Sequence, residues 1–149
     1  MDNQHPTSIR VLVIEDNPAD IELLRMAFDQ ANLVYHMSVL NDGASALAVF
    51  RDTRVEAPSV PDLTVLDLNL PKYDGLELLE AARANPRFAS VPIAILSSSS
   101  SPRERSRIQG YGRVKYITKP PELDAYLAIG IVIRDFLLED SRRPNATGA

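Results

Sequence analysis

The chain has 149 residues, no cysteine, two histidines and a net charge of −4, with 45% hydrophobic and 24% charged residues, the composition of an ordinary globular domain with room for one core and little for a second. It excludes disulfides, thiol catalysis and Cys-based zinc sites, and the acidic balance without a basic run argues against a nucleic-acid partner. No apolar run reaches the ~18 residues of a membrane span and residues 1–8 lack an apolar signal core, so no membrane partner and a cytoplasmic location are expected.

Residues 9–14, Ile-Arg-Val-Leu-Val-Ile, are a β-branched apolar run that reads as a buried strand. Residues 18–31 follow as a helix with an apolar stripe at Ile21, Leu24, Ala27, Phe28 and Ala31. Asn17 is its expected N-cap, and Pro18 sits in the first turn, where a missing N–H is tolerated. A second strand spans 34–40 and stops at Asn41-Asp42-Gly43; 44–50 is a short helix. Residues 53–61, with two prolines, read as a surface loop. Residues 63–66 are a third buried strand that ends on Asp67. A helix over 76–84 closes at Asn85-Pro86. Residues 91–96 form a fourth strand running into five serines, 103–109 a short polar helix, 114–118 a fifth strand and 121–138 the last helix. The ends, 1–8 and 139–149, are expected as flexible arms flanking one domain over 9–138.

Five strands alternating with five helices imply an α/β fold with a parallel sheet covered on both faces, and right-handed crossovers leave few topologies. In the flavodoxin-like, doubly wound order 2-1-3-4-5, ligands bind beyond the carboxyl ends of the strands. There the sequence offers Glu15 and Asp16 after strand 1, Asp67 and Asn69 after strand 3, Ser97, Ser98 and Ser99 after strand 4, and Lys119 after strand 5. Three carboxylates, a hydroxyl and an ammonium would share one small area. Crowded carboxylates repel unless a cation removes the cost. Mg²⁺, which takes carboxylate, water and phosphate oxygens in octahedral geometry, is the expected cofactor. Such a set suits phosphoryl transfer. The metal neutralises charge in transit, a carboxylate attacks to form an acyl phosphate, the lysine clamps one phosphoryl oxygen and a hydroxyl bonds another.

Glu15-Asp16, Asp67 within Leu66-Asp67-Leu68-Asn69-Leu70-Pro71, Asp74-Gly75, Ser97 and Lys119-Pro120, in this order and at these separations, resemble the receiver domains of two-component response regulators. The resemblance covers about residues 9–138. It implies that Asp67 is the phosphoacceptor, Asp16 a direct metal ligand, Glu15 a ligand acting mainly through water, and the backbone carbonyl of Asn69 a third protein ligand. It gives Ser97 the hydroxyl that moves onto the phosphoryl group and Lys119 the clamp, with its bond to Pro120 cis. Tyr116 matches the aromatic position that turns inward on activation. The 52–61 loop and the Leu-Asn-Leu-Pro segment look most like stand-alone receivers that partner bacteriophytochrome-type sensor histidine kinases. On this reading the chain is a phosphoacceptor that assists its own phosphotransfer and autodephosphorylation rather than an enzyme. With only a short tail after Leu138, its output is expected through protein contacts, or as a relay or phosphate sink. Arg113 and Pro121 depart from the family pattern, and the long serine run leaves Ser98 as an alternative to Ser97.

Plainer readings stand beside these. Glu15-Asp16 could complement a helix dipole, Lys119 could cap a strand end, Asn69 to Gly75 could be turn chemistry, and Tyr116 could be packing; their joint order favours the site. His36 is expected as a surface strand residue, and His5 lies in the N-terminal arm. The last helix carries more apolar surface than one face needs. Leu123, Leu127, Gly130, Ile133 and Leu137 form a stripe toward the sheet, Ile129, Val132 and Phe136 a second, with Tyr126, Ile131 and Leu138 beyond. The surplus points to a homodimer through the strand 4 to helix 5 face. Two rival functions remain. A haloacid-dehalogenase-like phosphatase wants its nucleophile after the first strand and a second Asp two residues on, where this chain has Asn69. A receiver-like binding module that is never phosphorylated has the full acidic set against it.

Overall fold

The computed structural model describes residues 8–142. All but Ser8 of the N-terminal arm expected over 1–8, and most of the expected C-terminal tail, lie outside them. Five strands, β1 (Ile9–Ile14), β2 (Tyr35–Leu40), β3 (Leu63–Asp67), β4 (Ile93–Ser97) and β5 (Val114–Thr118), form one parallel sheet in the order 2-1-3-4-5. Helices α1 (Pro18–Gln30), α2 (Gly43–Phe50), α3 (Gly75–Ala84), α4 (Pro102–Gln109), α5 (Leu123–Leu127) and α6 (Ile129–Arg142) connect and follow them. The flavodoxin-like, doubly wound architecture read from the alternation is therefore the one observed.

Alternate residues of each central strand feed two cores, as strand pleating requires. Ile14, Leu66, Ile93 and Ile95 pack with Phe50, Leu78, Leu79 and Ile108 beneath α2, α3 and α4. Val11, Val13, Leu63, Val65 and Leu96 pack with Leu24, Phe28, Tyr126 and Ile133 beneath α1, α5 and α6. Asn17 caps α1 as expected, its Oδ1 accepting the Ala19 N–H at 2.9 Å. Asp42, Asp74 and Ser101 cap α2, α3 and α4 in the same way.

The structure corrects three details. β4 starts at Ile93, not Val91, because Pro92 has no N–H to give the ladder, although its carbonyl accepts the Thr64 N–H. The last helix starts at Leu123 and is divided at Ala128, whose φ of −67° and ψ of −13° stay in the right-handed helical region while its N–H bonds the Asp124 carbonyl and its carbonyl accepts the Val132 N–H. The buried stripe runs through Tyr126, Ile129, Ile133 and Phe136, at the 3-4-3 spacing of one helical face, rather than through Leu123, which is exposed. α6 also continues to Arg142, four residues beyond the boundary expected at 138. Third, no cis peptide occurs among the described residues, so the Lys119–Pro120 bond is trans, the isomer an X–Pro bond intrinsically prefers.

Two side chains tie the lower end of the sheet, opposite the strand carboxyl ends. Buried Asn85 donates to the carbonyls of Phe50 and Asp52, anchoring the start of the 52–61 loop. The Arg83 guanidinium donates to the carbonyls of Phe88 and Val91 (both 2.8 Å), Tyr111 (2.7 Å) and Arg113 (2.9 Å). One side chain thus joins α3 to the entries of β4 and β5 and to Tyr111, two residues after α4.

Candidate functional site

At the carboxyl ends of β1, β3 and β5 the chain exposes three turns to one another. β1 delivers Glu15 and Asp16, β3 ends on Asp67, and β5 leads directly into Lys119. Carboxylate oxygens of Glu15, Asp16 and Asp67 lie within 4.8 Å of one another. Glu15 and Asp67 are buried while Asp16 is exposed. The Lys119 ammonium donates to Asp67 Oδ2 at 3.1 Å, Asp20 Oδ2 at 3.2 Å and Glu15 Oε1 at 3.3 Å. The other Asp67 oxygen accepts the Asn69 N–H at 2.8 Å.

One lysine facing four carboxylates leaves an excess of negative charge. Burial, and then the Asp67 carboxylate beside it, push the Glu15 carboxyl up to about 8. Burial alone would lower the Lys119 pKa, but the charges of Asp67 and Glu15 more than offset it and hold the ammonium above the ordinary lysine range. A cluster of carboxylate oxygens within 4.8 Å of one another, with residual negative charge, fits a hard divalent cation that prefers oxygen ligands. Glu15, Asp16 and Asp67 are the side chains that would hold it.

The β4 turn supplies the hydroxyls. Ser97 is the last residue of β4 and fully buried; Ser98 is exposed, its N–H donated to the Asn69 carboxamide oxygen at 2.8 Å. Of the two serines, Ser97 therefore has the interior hydroxyl. It donates to Glu104 Oε1 at 2.8 Å and accepts the Ser99 N–H at 3.1 Å. Tyr116 lies inward, 8% exposed, with its hydroxyl 2.6 Å from the Ser99 carbonyl and 2.5 Å from the same Glu104 oxygen. Burial, with Glu104 alongside, raises the Tyr116 phenol above its ordinary range. The Arg105 guanidinium covers the Tyr116 ring at 4.8 Å.

The structure thus brings Glu15, Asp16, Asp67 and Lys119 together, links Asn69 to both the β3 and β4 turns, and sets Ser97 and Tyr116 on a common partner in α4. Three residues escaped the sequence reading. Asp20 was visible as the acid in the first turn of α1, just beyond the strand 1 turn that carries Asp16. Glu104 was visible as the fourth residue of Ser101-Pro102-Arg103-Glu104, a capping-box spelling. Tyr126 had been counted only as apolar surface. It is buried, its hydroxyl has no hydrogen-bond partner among the described residues, and burial and the Asp20 charge raise its pKa.

A fold with five parallel strands in this order and an acid–lysine cluster at its carboxyl edge defines a receiver, and residues 11–129 match the family model for the response regulator receiver domain. The chain belongs to that family. It is 31% identical over 148 residues to the response regulator Rcp1 of Synechocystis sp., covering 97% of this chain and 99% of that one. Its fold matches the crystal structure of the phosphorylated cyanobacterial phytochrome response regulator RcpA with a TM-score of 0.78 at 31% identity, over 93% of this chain and all of the other. It also matches the Mn²⁺-bound form of Rcp1 with a TM-score of 0.76 at 29% identity, over 92% and 99%. Among the described residues no helix is long and apolar enough to cross a membrane.

Proposed function

We propose that this receiver accepts a phosphoryl group on Asp67 from the phosphohistidine of a sensor histidine kinase, with Mg²⁺ bound by Glu15, Asp16, Asp67 and the Asn69 carbonyl. The observation that carries the reading is the convergence of Lys119 on Asp67 within a cluster of oxygen donors. An Asp67 carboxylate oxygen attacks phosphorus, a P–O bond forms, the P–N bond to the kinase imidazole breaks, and its electron pair leaves with the ring nitrogen. The bound cation supplies charge neutralisation at the phosphoryl oxygens. Lys119, already 3.1 Å from Asp67, is placed to bond one of those oxygens, and Ser97 to bond another once its hydroxyl turns. No substrate is turned over in this scheme. The protein assists its own phosphorylation and the later loss of the phosphoryl group to water.

The phosphorylated relative and the phytochrome regulators among the matches support a phytochrome-type kinase as donor, with signalling in the cytoplasm through protein contacts. Leu123, Ile131 and Val132 expose apolar side chains on α5 and α6, a surface that a second copy of the chain would cover. The direct test is intact mass after incubation with acetyl phosphate and Mg²⁺, then with candidate kinases. Wild type is expected to gain the ~80 Da of one phosphoryl group and Asp67→Asn none. A wild type that gains nothing from any donor, or an Asp67→Asn variant that gains the same mass, would remove the assignment.

A further inference from the structure

The spelling Ser101-Pro102-Arg103-Glu104 should make a reciprocal capping box, with the Glu104 carboxylate reaching back to the Ser101 N–H. Only half of the box is present. Ser101 Oγ accepts the Glu104 N–H, but the Ser101 N–H is donated to Ser99 Oγ at 3.1 Å. Glu104 is released from its capping role, and one of its carboxylate oxygens instead accepts from both Ser97 (2.8 Å) and Tyr116 (2.5 Å).

We propose that Glu104 is a positioning residue that latches the unphosphorylated state by holding the Ser97 hydroxyl away from Asp67. The proposal rests on the phosphoacceptor reading above. The physical basis is a count of hydrogens. A serine hydroxyl has one to donate, so it cannot serve Glu104 and a phosphoryl oxygen at the same time. Phosphorylation therefore requires the Ser97–Glu104 bond to break. Tyr116 is not exchanged: its single hydrogen is shared between the Glu104 oxygen at 2.5 Å and the Ser99 carbonyl at 2.6 Å. The latch couples the reaction centre to α4 through a single charged oxygen. It also places a carboxylate charge on the far side of the hydroxyl that the dianionic phosphoryl group must recruit.

The test is a titration with beryllium fluoride and Mg²⁺, the trifluoroberyllate standing for the phosphoryl group on Asp67, followed by tyrosine fluorescence or NMR. Glu104→Ala should bind about tenfold more tightly than wild type, the size expected for relief of one hydrogen bond to a charged acceptor. Glu104→Gln, which keeps a neutral acceptor, should fall between the two. The decisive readout is the cycle with Ser97→Ala, because the gain from Glu104→Ala should vanish once there is no hydroxyl to release. A Glu104→Ala protein that binds like wild type or more weakly overturns the latch, as does a gain that persists in the Ser97→Ala background. Should Glu104→Ala fail to fold, Glu104→Gln carries the same comparison. A wild-type protein that binds no beryllium fluoride overturns the phosphoacceptor reading itself, and the latch with it.

Discussion

Raising the pH from 5 to 8 should destabilise the metal-free protein and tighten its hold on Mg²⁺, both through Glu15. In the unfolded chain this carboxyl ionises near 4.5, whereas in the fold it keeps its proton to about 8. Between those values the unfolded state binds fewer protons than the folded one, so stability falls as pH rises and is fully present only below 4.5. The full difference corresponds to roughly 5 kcal/mol, and solvent screening at the mouth of the pocket reduces it to roughly 2–3 kcal/mol. For a domain of this size that is a fall of roughly 5–10 °C in melting temperature. Mg²⁺ competes with the same proton, so its apparent affinity should rise by up to about tenfold per pH unit and level off above pH 8. Thermal unfolding in chelator and in Mg²⁺ from pH 5 to 8.5, with calorimetric titration of Mg²⁺ in buffers of different ionisation enthalpy, measures both halves. Glu15→Gln should flatten the chelator series. A metal-free melting temperature that holds steady or climbs over this range, or a slope that survives in Glu15→Gln, would refute the account.

Two further outcomes follow from packing. A Cβ on Gly130 would lie 2.0 Å from the Ala27 carbonyl oxygen, part of the α1 backbone, so Gly130→Ala should lose about 1–3 kcal/mol to overpacking, more than the ~1 kcal/mol that alanine gains in a helix interior. Urea unfolding decides it, and a stabilised variant would mean that α1 and α6 sit further apart. The exposed Leu123, Ile131 and Val132 surface predicts self-association, seen as a dimer by sedimentation at micromolar concentration and weakened by Val132→Lys. A clean monomer with and without phosphorylation would remove the dimer.

Where the sequence was informative, the reason is that both signals were local. Buried parallel strands must be continuous apolar runs, and β1, β3 and β4 have no other way to satisfy two covered faces. The acids and the lysine were findable because each directly follows a strand, so topology alone brought them together. Glu104 and Tyr126 were hidden for the opposite reason. Each stands on a helix, and whether its tip reaches the site depends on helix phase and crossing geometry. In the last helix two apolar stripes competed for the core, and the one through Ile129 and Phe136 took it while Leu123 stayed outside. At Glu104 the capping-box spelling alone would have misplaced the carboxylate, because a neighbouring serine takes the N–H that it would have bonded.

The Arg83 fan gives α4 two unequal ends. Its trailing end is fastened, since the Tyr111 carbonyl is held by the guanidinium and the Tyr111 hydroxyl donates to Glu80 on α3. The Glu104 carboxylate ties its leading end to the β4 and β5 strands by hydrogen bonds from Ser97 and Tyr116. On the proposed exchange at Ser97 only the leading tether loosens, so any displacement of α4 that follows would turn about its Tyr111 end.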